Sequence, residues 1–445
     1  MSDEDARPIR RAPGPLDATV RPPGSKSVTN RALVCAALAG GTSALAGVLR
    51  ADDTDAMVAC LRDLGVRITL TDEGGTTVAT VRGVGGRPPV DGAVLDARLS
   101  GTTSRFVAPV AALVRGTVVL DGGEPLRLRP MGDLLDAMEH LGAVIEPLGE
   151  PGRLPVHLGG GPERFVGGEV ELAGDVSSQF LSGLLLTAPC LRDGVTAGLT
   201  TELVSRPYVV LTASVMAAFG AEVEVDAAGR RLRVPPTGYR SVERYEVEPD
   251  ASAASYFAAA AAVVGGRVRI EGLGTASRQG DTGFVDLLGR MGAEVAWEPH
   301  AVTVSRTGPL RGIDVDMADV SDTAQTLAAV APYATSPTTV TGIGFIRGKE
   351  TDRIAAVVAE LRRVGIEAEE LDDDGFRVHP GTPTGGDVRT YDDHRMAMSF
   401  AVLGLGTDGV RILDPGCVAK TYPGFWDDLD AVVQGSASGT GARTP

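Results

Sequence analysis

The sequence predicts an α/β protein, α+β in its layering, of two domains, each made of three repeats packed around buried helices. Three observations lead there. The chain has 445 residues, more than one ordinary core accommodates. Amphipathic helices closed by glycine recur along it. A second helix class, apolar almost all round, recurs in the same phase.

The first class comprises "TDAMVACLRDLGVRITL", "MGDLLDAMEHLGAVIEP", "VLTASVMAAFGAEVEV", "TGFVDLLGRMGAEVAW", "DRIAAVVAELRRVGIEAEE" and "FWDDLDAVVQG". Each shows apolar residues at i, i+3 and i+4, then a glycine whose left-handed conformation stops the helix. Those glycines are Gly65, Gly142, Gly220, Gly292, Gly365 and Gly435, spaced 70 to 78 residues apart. The second class comprises "GSKSVTNRALVCAALAGG", "SGTTSRFVAPVAALVRG", "DVSSQFLSGLLLTAP", "DASAASYFAAAAAVVGG", "SDTAQTLAAVAPYATS" and "DDHRMAMSFAVLGLG". Aligned on Asn30, Ser104, Gln179, Ser255, Gln325 and Arg395, these repeat every 70 to 76 residues. That period is too long for a solenoid hairpin, so each copy is a small α/β unit. A helix apolar all round belongs inside. Six of them divide most economically into two cores of three. The change of domain falls near "YRSVERYEVEPD", residues 239–250.

Composition excludes several functions. Hydrophobic residues make up 43%, too many for global disorder, and no run is long and apolar enough to span a bilayer. A net charge of −16 argues against duplex nucleic acid or an anionic membrane as main partner. The opening "MSDEDARPIRRAPGP" has no apolar signal core, so residues 1–14 read as a disordered tail, as do residues 436–445. Cys35, Cys60, Cys190 and Cys417 form no CxxC pair and no metal spacing; they read as packed thiols in a reducing cytoplasm. Five scattered histidines give no metal motif either.

Every buried helix opens on residues that leave backbone N–H groups available, and several have basic neighbours: Lys26 and Arg31, Arg105, Arg395. Capping alone explains any single start. If three such N-termini per domain face the other domain, their dipoles sum, and a cleft between domains attracts anions despite the acidic surface. The segment "RPPGSKSVTNRA" is not a P-loop, because Ser25 stands where its second glycine belongs. "GLGTASRQG" and "GIGFIRG" carry Ser277 and Arg347 in place of the third glycine of a dinucleotide fingerprint. Both are turns.

The stretches "PGSKSVTNRA", "SGTTSRF", "GEPLRLRPM", "DVSSQF", "LVSRPY", "DASAASYF", "KETDR", "DDHRMAM" and "VAKTYPGFW" run in order from residue 22 to 426. Together they resemble the 5-enolpyruvylshikimate-3-phosphate synthase family. The resemblance implies the enolpyruvyl transferase fold, an inside-out α/β barrel of three βαβαββ units per domain. One domain is then residues 21–248. The other is 249–435 together with a first strand at 15–20. It implies transfer of the enolpyruvyl group of phosphoenolpyruvate to the 5-hydroxyl of shikimate 3-phosphate with release of phosphate, through a tetrahedral intermediate. It implies that Lys26, Gly101, Arg129, Gln179, Arg353, Arg395 and Lys420 hold phosphoenolpyruvate. Lys26, Ser27, Arg31, Ser177, Ser178, Gln179, Ser205, Asp322 and Lys349 match the shikimate 3-phosphate positions. Glu350 matches the acid that protonates the methylene carbon, Asp322 the base at the hydroxyl, and Lys26 an electrostatic stabiliser. No cofactor or metal is implied; a cytoplasmic monomer is expected, with glyphosate as an inhibitor at the phosphoenolpyruvate site.

Those residue types suit the chemistry. Planar guanidiniums grip carboxylate and phosphate in bidentate fashion, while hydroxyls and amides suit a polyol phosphate. Taken one at a time, Glu350, Asp352 and Arg353 are ordinary first-turn helix residues, and Asp322 an ordinary cap. His394 reads as a hydrogen-bonding neighbour of Arg395 without a catalytic part. The chain departs from the family pattern at Arg98-Leu99, where Gly-Asn is common, and at Phe345, where Asn is common. The sister transferase acting on UDP-N-acetylglucosamine has Lys-Asn in its first motif and commonly a cysteine on its phosphoenolpyruvate loop. Here the pair is Lys26-Ser27, and "GEPLRLRPM" has no cysteine.

Overall fold

The computed structural model describes residues 6–435, in two compact units: Gly24–Val247, and the residues up to Pro23 together with those from Glu248 onward. The repeats set the element order in both. In Gly24–Val247 the buried helices are α1 (Lys26–Leu38), α3 (Gly101–Ala111) and α5 (Ser178–Thr187). The amphipathic ones are α2 (Asp52–Asp63), α4 (Gly132–His140) and α6 (Arg206–Ala218). In the other unit α7 (Ala251–Val264), α9 (Ala324–Val330) and α11 (His394–Gly404) are buried. There α8 (Gly283–Met291), α10 (Arg353–Arg363) and α12 (Phe425–Gln434) are amphipathic.

Each repeat owns one small sheet. The strands before and after a buried helix run parallel, as a crossover connection requires: Gly92–Asp96 lies beside Thr117–Asp121, and Gly168–Leu172 beside Val195–Leu199. A hairpin after the amphipathic helix adds antiparallel strands, as in Val144–Pro147 with Val156–Gly159. Two strands leave the sequence order. Arg244–Glu246 lies parallel to Ala44–Ala46 and fills the place ahead of α1. Leu16–Val20 lies parallel to Gly266–Ile270 and fills the place ahead of α7.

Residues 6–14 differ from the expected disordered tail. Among the described residues the sixth repeat has no hairpin, and Arg7–Pro8 pairs antiparallel with Arg411–Ile412. The Ile9 and Ala12 N–H groups donate to the carbonyls of Val410 and Leu405, and the Ile9 side chain is buried. One isoleucine among arginines and prolines left little trace of this in composition. The expected disorder of residues 1–5 and 436–445 lies outside the described residues. The units divide at Pro23/Gly24 and Val247/Glu248, shifted slightly from 20/21 and 248/249. The Asp250 N–H donates to the Pro23 carbonyl at 2.8 Å, holding residues 21–23 to α7.

The three buried helices of each unit pack on one another. Helix α7 reads "ASAASYFAAAAAVV", and its small side chains let neighbouring backbones approach. Where α7, α9 and α11 meet, the hydroxyls of Ser255, Thr326 and Ser399 form a buried chain at 3.2 and 3.3 Å, satisfying groups that would otherwise destabilise the core. Phe425 of α12 packs edge-on against Tyr256 and Tyr422, and against Phe257. Burying one such ring contributes roughly 1.5–3 kcal/mol. Gly65, Gly142, Gly220, Gly292 and Gly365 take φ between 82° and 109°. Gly435 does not: its φ is −70°, and α12 ends in right-handed conformation.

Candidate active site

Five of the six buried helices are closed at the start by their own side chains. Ser25, Ser100, Ser177, Asp250 and Asp393 accept from backbone N–H groups of the first turn. The sixth, α9, instead follows a 3₁₀ turn at Ala318–Thr323. Capping by hydroxyl or carboxylate satisfies one orphan donor per helix and leaves the other early N–H groups pointing outward.

In the unit Gly24–Val247, the first turns of α1, α3 and α5 are tied together. The Lys26 ammonium lies 3.3 Å from the buried Asp53 carboxylate of α2, and the Asp53 carbonyl accepts from the Thr103 hydroxyl of α3 at 3.0 Å. The Gln179 amide of α5 donates to the Thr102 hydroxyl of α3 at 3.4 Å. At Gly101 a Cβ would collide with the Arg105 guanidinium and lie 2.7 Å from that of Arg129, so glycine is what lets both cations reach the helix start. Arg105, buried at 3% exposure, donates to the Gly101 and Pro130 carbonyls and lies over the Phe180 ring. It thereby ties α3 to the loop that carries Arg129.

Arg31 is 2% exposed. Its guanidinium donates to the Thr212 hydroxyl at 2.7 Å and to the Ser27 and Tyr208 carbonyls, between the Phe106 and Tyr208 rings. Burial lowers its pKa to about 10. Ser205 holds a left-handed φ of 52° just before α6, and its carbonyl accepts from the Tyr208 N–H. Ser177 caps α5, and Ser178 is buried in its first turn.

The other unit gathers Asp322, Glu350, Arg353, Arg395 and Lys420. Arg353, at the first position of α10, makes four hydrogen bonds to three carboxylates: two to Asp393 (2.8 and 3.4 Å), one to Asp322 (3.1 Å) and one to Glu350 (2.7 Å). Burial alone would lower the Arg353 pKa, but Asp393, Glu350 and Asp322 hold it above its ordinary value. Arg395 donates to the Asp322 carboxylate at 2.6 Å and to its carbonyl at 3.0 Å. It also reaches the Ser252 hydroxyl at 3.5 Å, which in turn donates to Asp281. The Lys420 ammonium lies 4.0 Å from Glu350. Next to Glu350, the Lys349 ammonium stands 5.9 Å from the Phe345 ring, within cation–π range. Asp322 and Glu350 keep 18% and 15% of their side chains exposed, whereas Arg353 and Asp393 keep 2% and none. Asp322 and Glu350 thus keep some contact with solvent beside the buried Arg353.

Sequence reasoning did not single out Asp53, Tyr208, Thr212 or Asp393. Only Asp393 carried a signal: it heads "DHRMAM" at the position of a helix cap. At the departures, Arg98 adopts a left-handed φ of 51°, a conformation natural to the more usual glycine, and Leu99 is exposed. Among the described residues no helix is long and apolar enough to cross a membrane.

A family model described as EPSP synthase (3-phosphoshikimate 1-carboxyvinyltransferase) matches residues 10–429. A 3-phosphoshikimate 1-carboxyvinyltransferase of Nostoc punctiforme is 44% identical over 93% of this chain and 95% of its own length. One of Methanosphaerula palustris is 45% identical over 94% of this chain and 97% of its own. Among solved structures, an EPSP synthase from Acinetobacter baumannii superposes with a TM-score of 0.79 at 26% identity, covering 96% of this chain and 97% of that one. The enolpyruvyl transferase NikO from Streptomyces tendae shares the fold, with a TM-score of 0.73 at 20% identity over 96% of this chain and 98% of its own. The chain therefore belongs to the EPSP synthase family, the 3-phosphoshikimate 1-carboxyvinyltransferases, and is an enzyme of the shikimate pathway.

Proposed function

We propose that this chain joins phosphoenolpyruvate to the 5-hydroxyl of shikimate 3-phosphate, with the residues above in the following roles. The observation that carries the assignment is the gathering of Asp322, Glu350, Arg353, Arg395 and Lys420 within hydrogen-bonding or ion-pair distance. Lys26, Gly101, Arg129, Gln179, Arg353, Arg395 and Lys420 are the residues assigned to phosphoenolpyruvate. Lys26, Ser27, Arg31, Ser177, Ser178, Gln179, Ser205, Asp322 and Lys349 serve shikimate 3-phosphate. Arg31 acts chiefly by shaping the Ser27 and Tyr208 backbone, since three of its contacts are internal.

Asp322, placed between two guanidiniums, is the base. It takes the proton from the attacking hydroxyl as the oxygen bonds to C2 of phosphoenolpyruvate. Glu350 gives a proton to C3, making a methyl group and a tetrahedral C2. In the second half, Glu350 recovers a methyl proton, the C2–O bond to phosphate breaks, and phosphate leaves with the proton that Asp322 had taken, its charge steadied by Lys26. Arg353 and Lys420 lie beside the Glu350 carboxylate, at 2.7 and 4.0 Å.

The reversible methyl stage supplies a test. In deuterium oxide with shikimate 3-phosphate present, wild type should wash deuterium into the methylene group of phosphoenolpyruvate, and Glu350→Gln should do so at least about 100-fold more slowly. Equal exchange in both would remove Glu350 from the acid role. The reading extends to a cytoplasmic monomer composed of these two units as domains, supported by four free thiols; a dimer by sedimentation would overturn the monomer.

A further inference from the structure

The turn ahead of α11 is strained. Tyr391 and Asp392 are consecutive non-glycine residues in left-handed conformation, φ 57° and 55°, a costly arrangement that persists only when its surroundings impose it. What imposes it is Glu360 on α10. That side chain is fully buried, and its carboxylate accepts from the Arg389 N–H at 3.0 Å, the Tyr391 hydroxyl at 2.7 Å and Arg363 Nε at 2.9 Å. Directly after the turn comes Asp393, whose N–H donates to the Thr390 carbonyl at 2.9 Å. The buried Asp393 carboxylate then does two things. It binds the Arg353 guanidinium through both oxygens, and it caps α11 by accepting from the Arg395 N–H at 2.9 Å.

Helix α10 is therefore fastened to this turn at two points about two turns apart: Arg353 to Asp393 at its start, and Glu360 to Arg389 and Tyr391 further along. We infer that Glu360 is a positioning residue for enolpyruvyl transfer: it pins the Arg389–Asp392 turn, and so sets Asp393, which aims Arg353 by its side chain and Arg395 by its cap. The inference rests on the reading that Arg353 and Arg395 hold phosphoenolpyruvate. Packing alone would be served by an apolar residue of similar volume. Three converging donors call for an acceptor-only group.

The test compares Glu360→Ala, Glu360→Gln and Tyr391→Phe by steady-state kinetics on the full-length enzyme, with thermal unfolding in parallel. Glu360→Ala should raise KM for phosphoenolpyruvate about tenfold and Tyr391→Phe about threefold, leaving KM for shikimate 3-phosphate unchanged. Glu360→Gln, which keeps one acceptor oxygen, should lie nearer wild type than Glu360→Ala. A fall in melting temperature with both KM values unmoved, or both raised equally, would overturn the inference and leave a structural role only. If Glu360→Ala does not fold, the solvent-reaching Tyr391→Phe decides by the same split. Arg395→Lys serves as control: should it leave KM for phosphoenolpyruvate unchanged, the site assignment itself falls, and the inference with it.

Discussion

Arg353 makes four hydrogen bonds to three carboxylates, and that environment shows why arginine rather than lysine stands there. A single ammonium could not reach three carboxylates in one plane, whereas a guanidinium fork does so from a buried position. Arg353→Lys should leave Asp393 poorly paired in the interior and lower kcat/KM for phosphoenolpyruvate by about 100-fold or more, read by initial rates. Gly101 has a similarly narrow requirement. A methyl group there displaces Arg105 and Arg129, so Gly101→Ala should raise KM for phosphoenolpyruvate about tenfold, with smaller effect on shikimate 3-phosphate. The Arg353–Asp393 pair could not be read from sequence: forty positions separate the partners, and nothing local distinguishes this arginine from a surface one.

At the scale of elements, capping and glycine stops were the legible features. Ser, Asp and Gly at helix ends act on the backbone within a few residues, so their signal is local. The repeat of two helix classes followed from that, and five of six glycine stops take the left-handed form. At the sixth, Gly435 continues the right-handed backbone instead. Asp352 illustrates what a cap contributes: its carboxylate accepts from the Ala355 N–H at 3.0 Å and pairs with Arg347. Asp352→Ala should cost about 1 kcal/mol in chemical denaturation. Strand exchange was less legible, because a strand's partner is set by whichever sheet edge is open. The pairings of Leu16–Val20 and Arg244–Glu246 each join residues about 200 or more positions apart. The first was available only through family likeness, and the second not at all. Ile9 belongs with these. Its side chain is buried just after the Arg7–Pro8 strand, and Ile9→Ala should cost about 2 kcal/mol by the same measurement.

For the whole molecule, the acidic composition and the clustered cations coexist because Lys26, Arg353, Arg395 and Lys420 pair with carboxylates, and Arg31 and Arg105 are buried rather than displayed. Net charge described the surface, and the site had to be found by ordered motifs. Thiol chemistry follows the same logic of burial, which pushes Cys35, Cys60, Cys190 and Cys417 each up to about 12. None should be alkylated by iodoacetamide near pH 8 until the protein unfolds, as mass spectrometry of intact protein would show. Inorganic phosphate is the most direct reporter of the enolpyruvyl transfer proposed for Glu350 and Asp322. Wild type should release phosphate only when phosphoenolpyruvate and shikimate 3-phosphate are both present, and Glu350→Gln and Asp322→Asn should each be slower by about 100-fold or more. Wild-type silence with that substrate pair, or variants as fast as wild type, would contradict it.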